Sequence, residues 1–183
     1  MTKALILVDL QNDYFPGGAM ALEGMDEAAA NARLALAAFR DRSLPLVHIQ
    51  HLSVRPGATF FVPNTSGVEI NAGVKPAAGE PLVQKNFPNA FRNTSLLDTL
   101  RERGVTELYI TGAMSHMCID ATTRAAFDQG FTCNVLEDAC ATRALTFRGA
   151  TVPAAQVHAA FMAALAVPYA KILATRDALA ALA

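Results

Sequence analysis

The chain has no run of Lys or Arg, and its formal net charge is −1. A nucleic-acid or anionic-membrane partner therefore has no electrostatic footprint on it. Long hydrophobic runs are also missing. The longest late one, Ala159 to Val167, is far too short to span a bilayer. The opening MTKALILVDLQND holds a short apolar run that meets Asp9 with no small-residue cleavage site. It reads as a buried strand and not as a signal peptide. Cysteine is sparse: Cys118, Cys133 and Cys140 cannot all pair, and no CxxC spacing occurs. A reduced, cytoplasmic protein is expected. Charged residues make up only 17% of the chain against 52% hydrophobic, which excludes disorder as its main state.

The 183 residues suit one domain with a full core, spanning 1–183. Strand and helix patterns alternate along it. Lys3 to Leu10 is a continuous apolar run, as expected of a strand buried on both faces. Asp26 to Asp41 is an Ala-rich helix, and Ser43 to Leu52 a second strand. Ser53 to Pro81 is punctuated by Pro and Gly and reads as a long binding loop or lid with little regular structure. Within it, Phe60 and Phe61 either anchor the loop on the core or line a pocket. Leu82 to Lys85 is a short strand, Thr94 to Arg103 a helix and Val105 to Thr111 a strand. Met117 to Gln129 is a helix and Phe131 to Glu137 a strand, followed by a loop to about Thr151. Pro153 to Ala166 is a helix, Lys171 to Ala174 the last strand and Arg176 to Leu182 a terminal helix. The pattern predicts a three-layer α/β/α domain around a mostly parallel sheet of about six strands. The Ala richness would also suit a homo-oligomer, a dimer or tetramer.

In open α/β sheets, ligands bind outside the carboxyl ends of the strands. Three reactive side chains fall there: Asp9 after the first strand, Lys85 after the third, and Cys118 after the strand ending at Thr111. A carboxylate can take a thiol proton, and a nearby ammonium stabilises the thiolate. A helix start at Cys118 favours the thiolate further. Backbone N–H groups from Met114 to Cys118 can hold an oxyanion. The chemistry this implies is acyl transfer to a thiol, then hydrolysis.

Four segments carry a resemblance over nearly the whole chain: LVDLQNDYF (Leu7 to Phe15), KNFPNAFRNTSL (Lys85 to Leu96), TGAMSHMCIDATTRAAFDQGF (Thr111 to Phe131) and DACATR (Asp138 to Arg143). With these the sequence resembles the isochorismatase-like cysteine hydrolases, a group that includes nicotinamidases and related amidohydrolases. The resemblance implies a catalytic triad of Asp9, Lys85 and Cys118. It also implies a cis peptide before Met114 and an oxyanion hole from the Met114 and Cys118 N–H groups. The expected activity is hydrolysis of a small-molecule amide through a thioester, with no cofactor. The alternatives are vinyl-ether hydrolysis of the isochorismatase type and a non-catalytic small-molecule-binding relative.

Nicotinamidase-like members bind a metal through an Asp-x-His motif after the second strand. Here that region reads HIQHLS, with His48 and His51 and no acidic partner nearby in sequence. No metal is expected, and both histidines are read as local hydrogen-bonding groups. Gln11 and Asp13 are read as support for the active-site loop. Phe15, Phe61, Phe87 and Phe91 fall in loops expected at the pocket mouth. His116 either contacts substrate or fixes the turn. Cys133 and Cys140 are read as structural.

Overall fold

The computed structural model describes residues 2–182. Its centre is a six-stranded sheet built from β1 (Thr2–Val8), β2 (Leu46–His51), β3 (Leu82–Lys85), β4 (Val105–Ala113), β5 (Thr132–Ala141) and β8 (Lys171–Leu173). The order is β3-β2-β1-β4-β5-β8, and every neighbouring pair is parallel. A separate two-stranded hairpin, β6 (Leu145–Phe147) with β7 (Ala150–Val152), follows β5.

The helices are α1 (Met25–Asp41), α2 (Leu96–Glu102), α3 (Asp120–Asp128), α4 (Ala154–Ala166) and α5 (Thr175–Ala180). Strand periodicity sorts β1 between two cores. Leu5 and Leu7 pack with Leu36 and Phe39 of α1 and Ala178 of α5. Ala4, Ile6 and Val8 pack with Leu96 and Leu100 of α2, Ala126 of α3 and Leu165 of α4. Both sheet faces are thus covered, which explains why β1 reads as an unbroken apolar run. No helix among the described residues is long and apolar enough to cross a membrane.

Three local readings change. The expected helix from Met117 is two pieces: a π-helical turn, Ser115–Ile119, runs into α3. The segment read as a loop from Asp138 to about Thr151 instead continues β5 to Ala141, across a register irregularity against β4, and then holds the β6–β7 hairpin. Alternating exposure fades where a strand bulges, so a period-2 reading stops early there. β2 starts at Leu46 and not Ser43, because the Pro45 carbonyl accepts the Leu5 N–H where the ladder begins.

The long loop from Ser53 holds only two 3₁₀ turns, Ser66–Val68 and Ala72–Val74. It is pinned by the turn that follows β1. Gln11 Nε2 donates to the His51 and Val68 carbonyls at 2.9 and 2.8 Å. Asp13 Oδ2 accepts the Phe61 N–H at 2.6 Å. Phe61 is buried with a φ of 55°, an unusual conformation for a bulky residue that this carboxylate clamp holds in place. So the Phe pair anchors the loop: Phe61 packs on Tyr14 with ring centroids 4.5 Å apart, and Phe60 packs on Phe61 at 5.1 Å.

Gly112 of β4 pairs with Val8 of β1. Its φ is 122°, and a Cβ there would lie 1.9 Å from the Val8 carbonyl oxygen, a backbone atom that cannot step aside. Gly112→Ala is therefore expected to destabilise the fold by more than about 3 kcal/mol. Urea unfolding of purified protein measures it; a loss below about 1 kcal/mol would mean that the two strands separate easily.

Candidate active site

The sheet order reverses direction between β1 and β4. The chain leaves β1 toward β2 on one side and returns to β4 on the other, and such a switch point opens a crevice at the carboxyl edge. Asp9 follows β1 there, and the Met114–Cys118 turn follows β4. β2 ends in His51 and β3 in Lys85, paired in register. Four adjacent strand ends therefore deliver four groups to one point.

Lys85 occupies that point. Its Nζ lies 2.8 Å from Asp9 Oδ2, 2.8 Å from His51 Nδ1 and 3.2 Å from Cys118 Sγ. An ammonium has three N–H donors and no acceptor, so three acceptors match it. Asp9 is 0%, Lys85 1% and Cys118 4% exposed. The Asp9 contact is a short ion pair, and both carboxylate oxygens are buried without a hydrogen bond. Asp9 also has a φ of 53°, so its backbone is strained at the site.

The electrostatics follow from burial. Burial opposes the Lys85 charge, but Asp9 and Cys118 outweigh it and raise the ammonium above its usual range. Burial pushes the Cys118 thiol well up, and the Asp9 charge adds to this; Lys85 acts the other way. The expected lowering of the thiol at a helix start is thus corrected: the dry surroundings and a neighbouring carboxylate outweigh the cation and the short π turn. Cys133 and Cys140 are pushed up to about 12 by burial alone or chiefly by burial.

The turn carrying Cys118 is held from several sides. Ser115 Oγ lies 2.8 Å from His158 Nδ1 of α4 and 3.3 Å from the Ala141 carbonyl. His116 Nδ1 lies 2.6 Å from Thr142 Oγ1, and its ring meets Phe161 edge-on. His116 thus fixes the turn. The Ala113–Met114 peptide is cis. The Met114 carbonyl accepts the Met117 and Ile119 N–H groups, skipping the Cys118 N–H between them.

The remaining sequence candidates are scattered. Phe61 is a core anchor beside Tyr14 and His51. Phe91 stacks on Phe131, Phe87 lies under the Arg92 guanidinium, and Phe15 lines a shallow surface pocket with Asn12 and Gly17. His48 does have an acidic partner, Glu80, brought to 3.0 Å by the end of the long loop. Glu80 also pairs with Arg40, whose hydrogen bond is the main reason its carboxyl falls to about 2. Asp9, His51 and Cys118 have one donor atom each within 4.8 Å of one another. That set does not fit a dication, since Lys85 already puts a positive charge against all three. Sequence reasoning missed His51 as a member of this cluster. The usable signal for His51 was its place at the end of β2, between the strands that carry Asp9 and Lys85.

Fold and site together define a parallel-sheet α/β enzyme with an acid, a cation and a thiol gathered at its strand ends. The isochorismatase domain model matches residues 3–176, and the chain belongs to the isochorismatase family of hydrolases. It is 50% identical over 175 residues to YddQ, an uncharacterised isochorismatase family protein of Bacillus subtilis, covering 96% of this chain and 97% of that one. The crystal structure of an isochorismatase from Pseudomonas putida superposes with a TM-score of 0.90 at 39% identity, over 96% of this chain and 89% of that one. The ureidoacrylate amidohydrolase RutB of Variovorax paradoxus is 29% identical over 170 residues, 75% of this chain and 68% of its own length.

Removing the cation leaves a dry carboxylate without a partner. Lys85→Met is expected to cost about 3–5 kcal/mol of stability at pH 7. A urea titration at pH 7 checks this; a variant as stable as the parent would remove Lys85 as the holder of the Asp9 charge.

Proposed function

We propose that this protein hydrolyses a small amide through a thioester on Cys118, with Asp9 as the proton carrier and Lys85 as the fixed counter-charge. The observation that carries the reading is one ammonium in contact with both a buried carboxylate and a buried thiol. A carboxylate and a thiol alone in such a place would each favour the neutral form. The cation between them keeps a base available to take the thiol proton.

The steps follow from the geometry. Asp9 takes the Cys118 proton as the sulfur attacks the amide carbonyl. Because burial pushes the thiol up, deprotonation accompanies attack. The developing oxyanion is held by the N–H groups of Met114 and Cys118, the latter left unclaimed by the Met114 carbonyl. Asp9 gives its proton to the leaving amine, and the C–N bond breaks. Water then attacks the thioester with Asp9 as base, which releases the acid and restores the thiol. The amidohydrolase activity in the name of RutB supports an amide over a vinyl ether.

Cys118→Ala should release no ammonia from any small amide that the parent protein hydrolyses, a loss of at least about 10³-fold. Its circular dichroism and unfolding midpoint should stay near the parent's. An ammonia-release screen over small amides, run with both proteins, decides the matter. Turnover that persists in the variant would sink the thiol mechanism.

A further inference from the structure

His51 is held more firmly than a residue at the foot of a loop needs to be. Its backbone N–H donates to Gln11 Oε1 at 2.7 Å, and its carbonyl accepts from Gln11 Nε2 at 2.9 Å. The ring is then fixed by Lys85, 2.8 Å from Nδ1. An ammonium can only donate, so Nδ1 must accept. Burial and the Lys85 charge push the imidazole down to about 4, so it is neutral near pH 7. A neutral imidazole carries one proton, and here that proton is on Nε2. The two ring nitrogens diverge, so Nε2–H is directed away from Lys85. It has no partner among the described residues.

A second donor stands nearby. Phe61 separates His51 from Tyr14, with centroid distances of 5.8 Å to the imidazole and 4.5 Å to the phenol ring. Tyr14 is only 1% exposed, and its hydroxyl makes no hydrogen bond among the described residues. Burial holds that hydroxyl protonated. Tyr14, Phe61 and His51 thus form a contiguous aromatic stack, with Phe61 as its buried middle member and a donor side chain at each end.

We propose that this stack binds a second oxygen acceptor of the substrate, with His51 Nε2–H and the Tyr14 hydroxyl as its donors. This rests on the amide reading. The scissile carbonyl oxygen goes to the N–H groups after β4, whereas His51 and Tyr14 stand on the β2 and β1 side of Asp9. They meet a different part of the same molecule. The substrate class is a small amide carrying a further carbonyl-type oxygen. An alkyl amide would offer neither donor a partner, and a site built to hydrogen-bond an oxygen discriminates against an analogue that lacks it.

The test uses amide pairs that differ by one CO for CH₂: acetoacetamide against butyramide, and 4-oxopentanamide against pentanamide. The parent protein should favour the carbonyl member of at least one pair in kcat/KM by about tenfold or more. His51→Asn places an acceptor oxygen where Nδ1 stands and removes Nε2–H, so it should pull that ratio toward one, mainly through KM. His51→Gln supplies a donor near Nε2 but gives up the Lys85 contact, so it should keep the ratio while lowering kcat. A merely structural His51 would give the opposite order, with His51→Asn keeping the ratio. That result, or no preference in the parent, overturns the proposal. Nitrogen-15 spectra of the imidazole in Cys118→Ala read the site without turnover. An Nε2-protonated ring at pH 7 that responds to acetoacetamide and not to butyramide is expected. An Nδ1-protonated ring, or equal responses, overturns it. Activity surviving in Cys118→Ala would overturn the thiol reading alone and leave the His51 result legible.

Discussion

The structure depends on one buried ammonium. Lys85 reaches from the end of β3 past β2 to Asp9 on β1 and Cys118 beyond β4. It therefore ties together four strands that are distant in sequence. A buried charge is costly to desolvate, and that cost is offset here by a carboxylate ion pair and by hydrogen-bond contacts to an imidazole nitrogen and a sulfur. The same contact acts on the electrostatics of its neighbours: it offsets part of the burial cost on Cys118 and adds to burial in lowering the His51 imidazole.

The surrounding fold is arranged to keep that point rigid and dry. Gln11 sews the turn after β1 to the end of β2 and to the long loop. Asp13 clamps Phe61, whose ring covers the space between Tyr14 and His51. Ser115 and His116 pin the π turn to α4 and to the end of β5. The QND sequence after Asp9 is thus a mechanical part: its side chains replace the backbone ladder where the sheet stops and the loop begins.

Much of the fold was legible in residue order. The uninterrupted apolar run of β1, the alternation of strands and helices, and the six-stranded count all follow from periodicity, which burial enforces locally. Asp9, Lys85 and Cys118 were legible as a set because a parallel sheet collects its ligand-binding groups at one edge. What misled was context that a linear reading lacks. Cys118 looked like a helix-start thiolate, but its ionisation depends on dryness and on Asp9. DACATR looked like a loop because the bulge in β5 breaks the alternation that marks a strand. His48 looked free of acids because Glu80 is far off in sequence.

The sequence by itself determined the layers, the order of elements and which three side chains stand at the strand ends, because hydrophobic periodicity and strand ends are local properties. Only the tertiary structure decided the direction in which the thiol is shifted, the contact of His51 with Lys85 and the role of Phe61 as an anchor. Those depend on distances of about 3–6 Å between residues up to 109 positions apart, such as Asp9 and Cys118 (118 − 9 = 109), and on how much water is left between them.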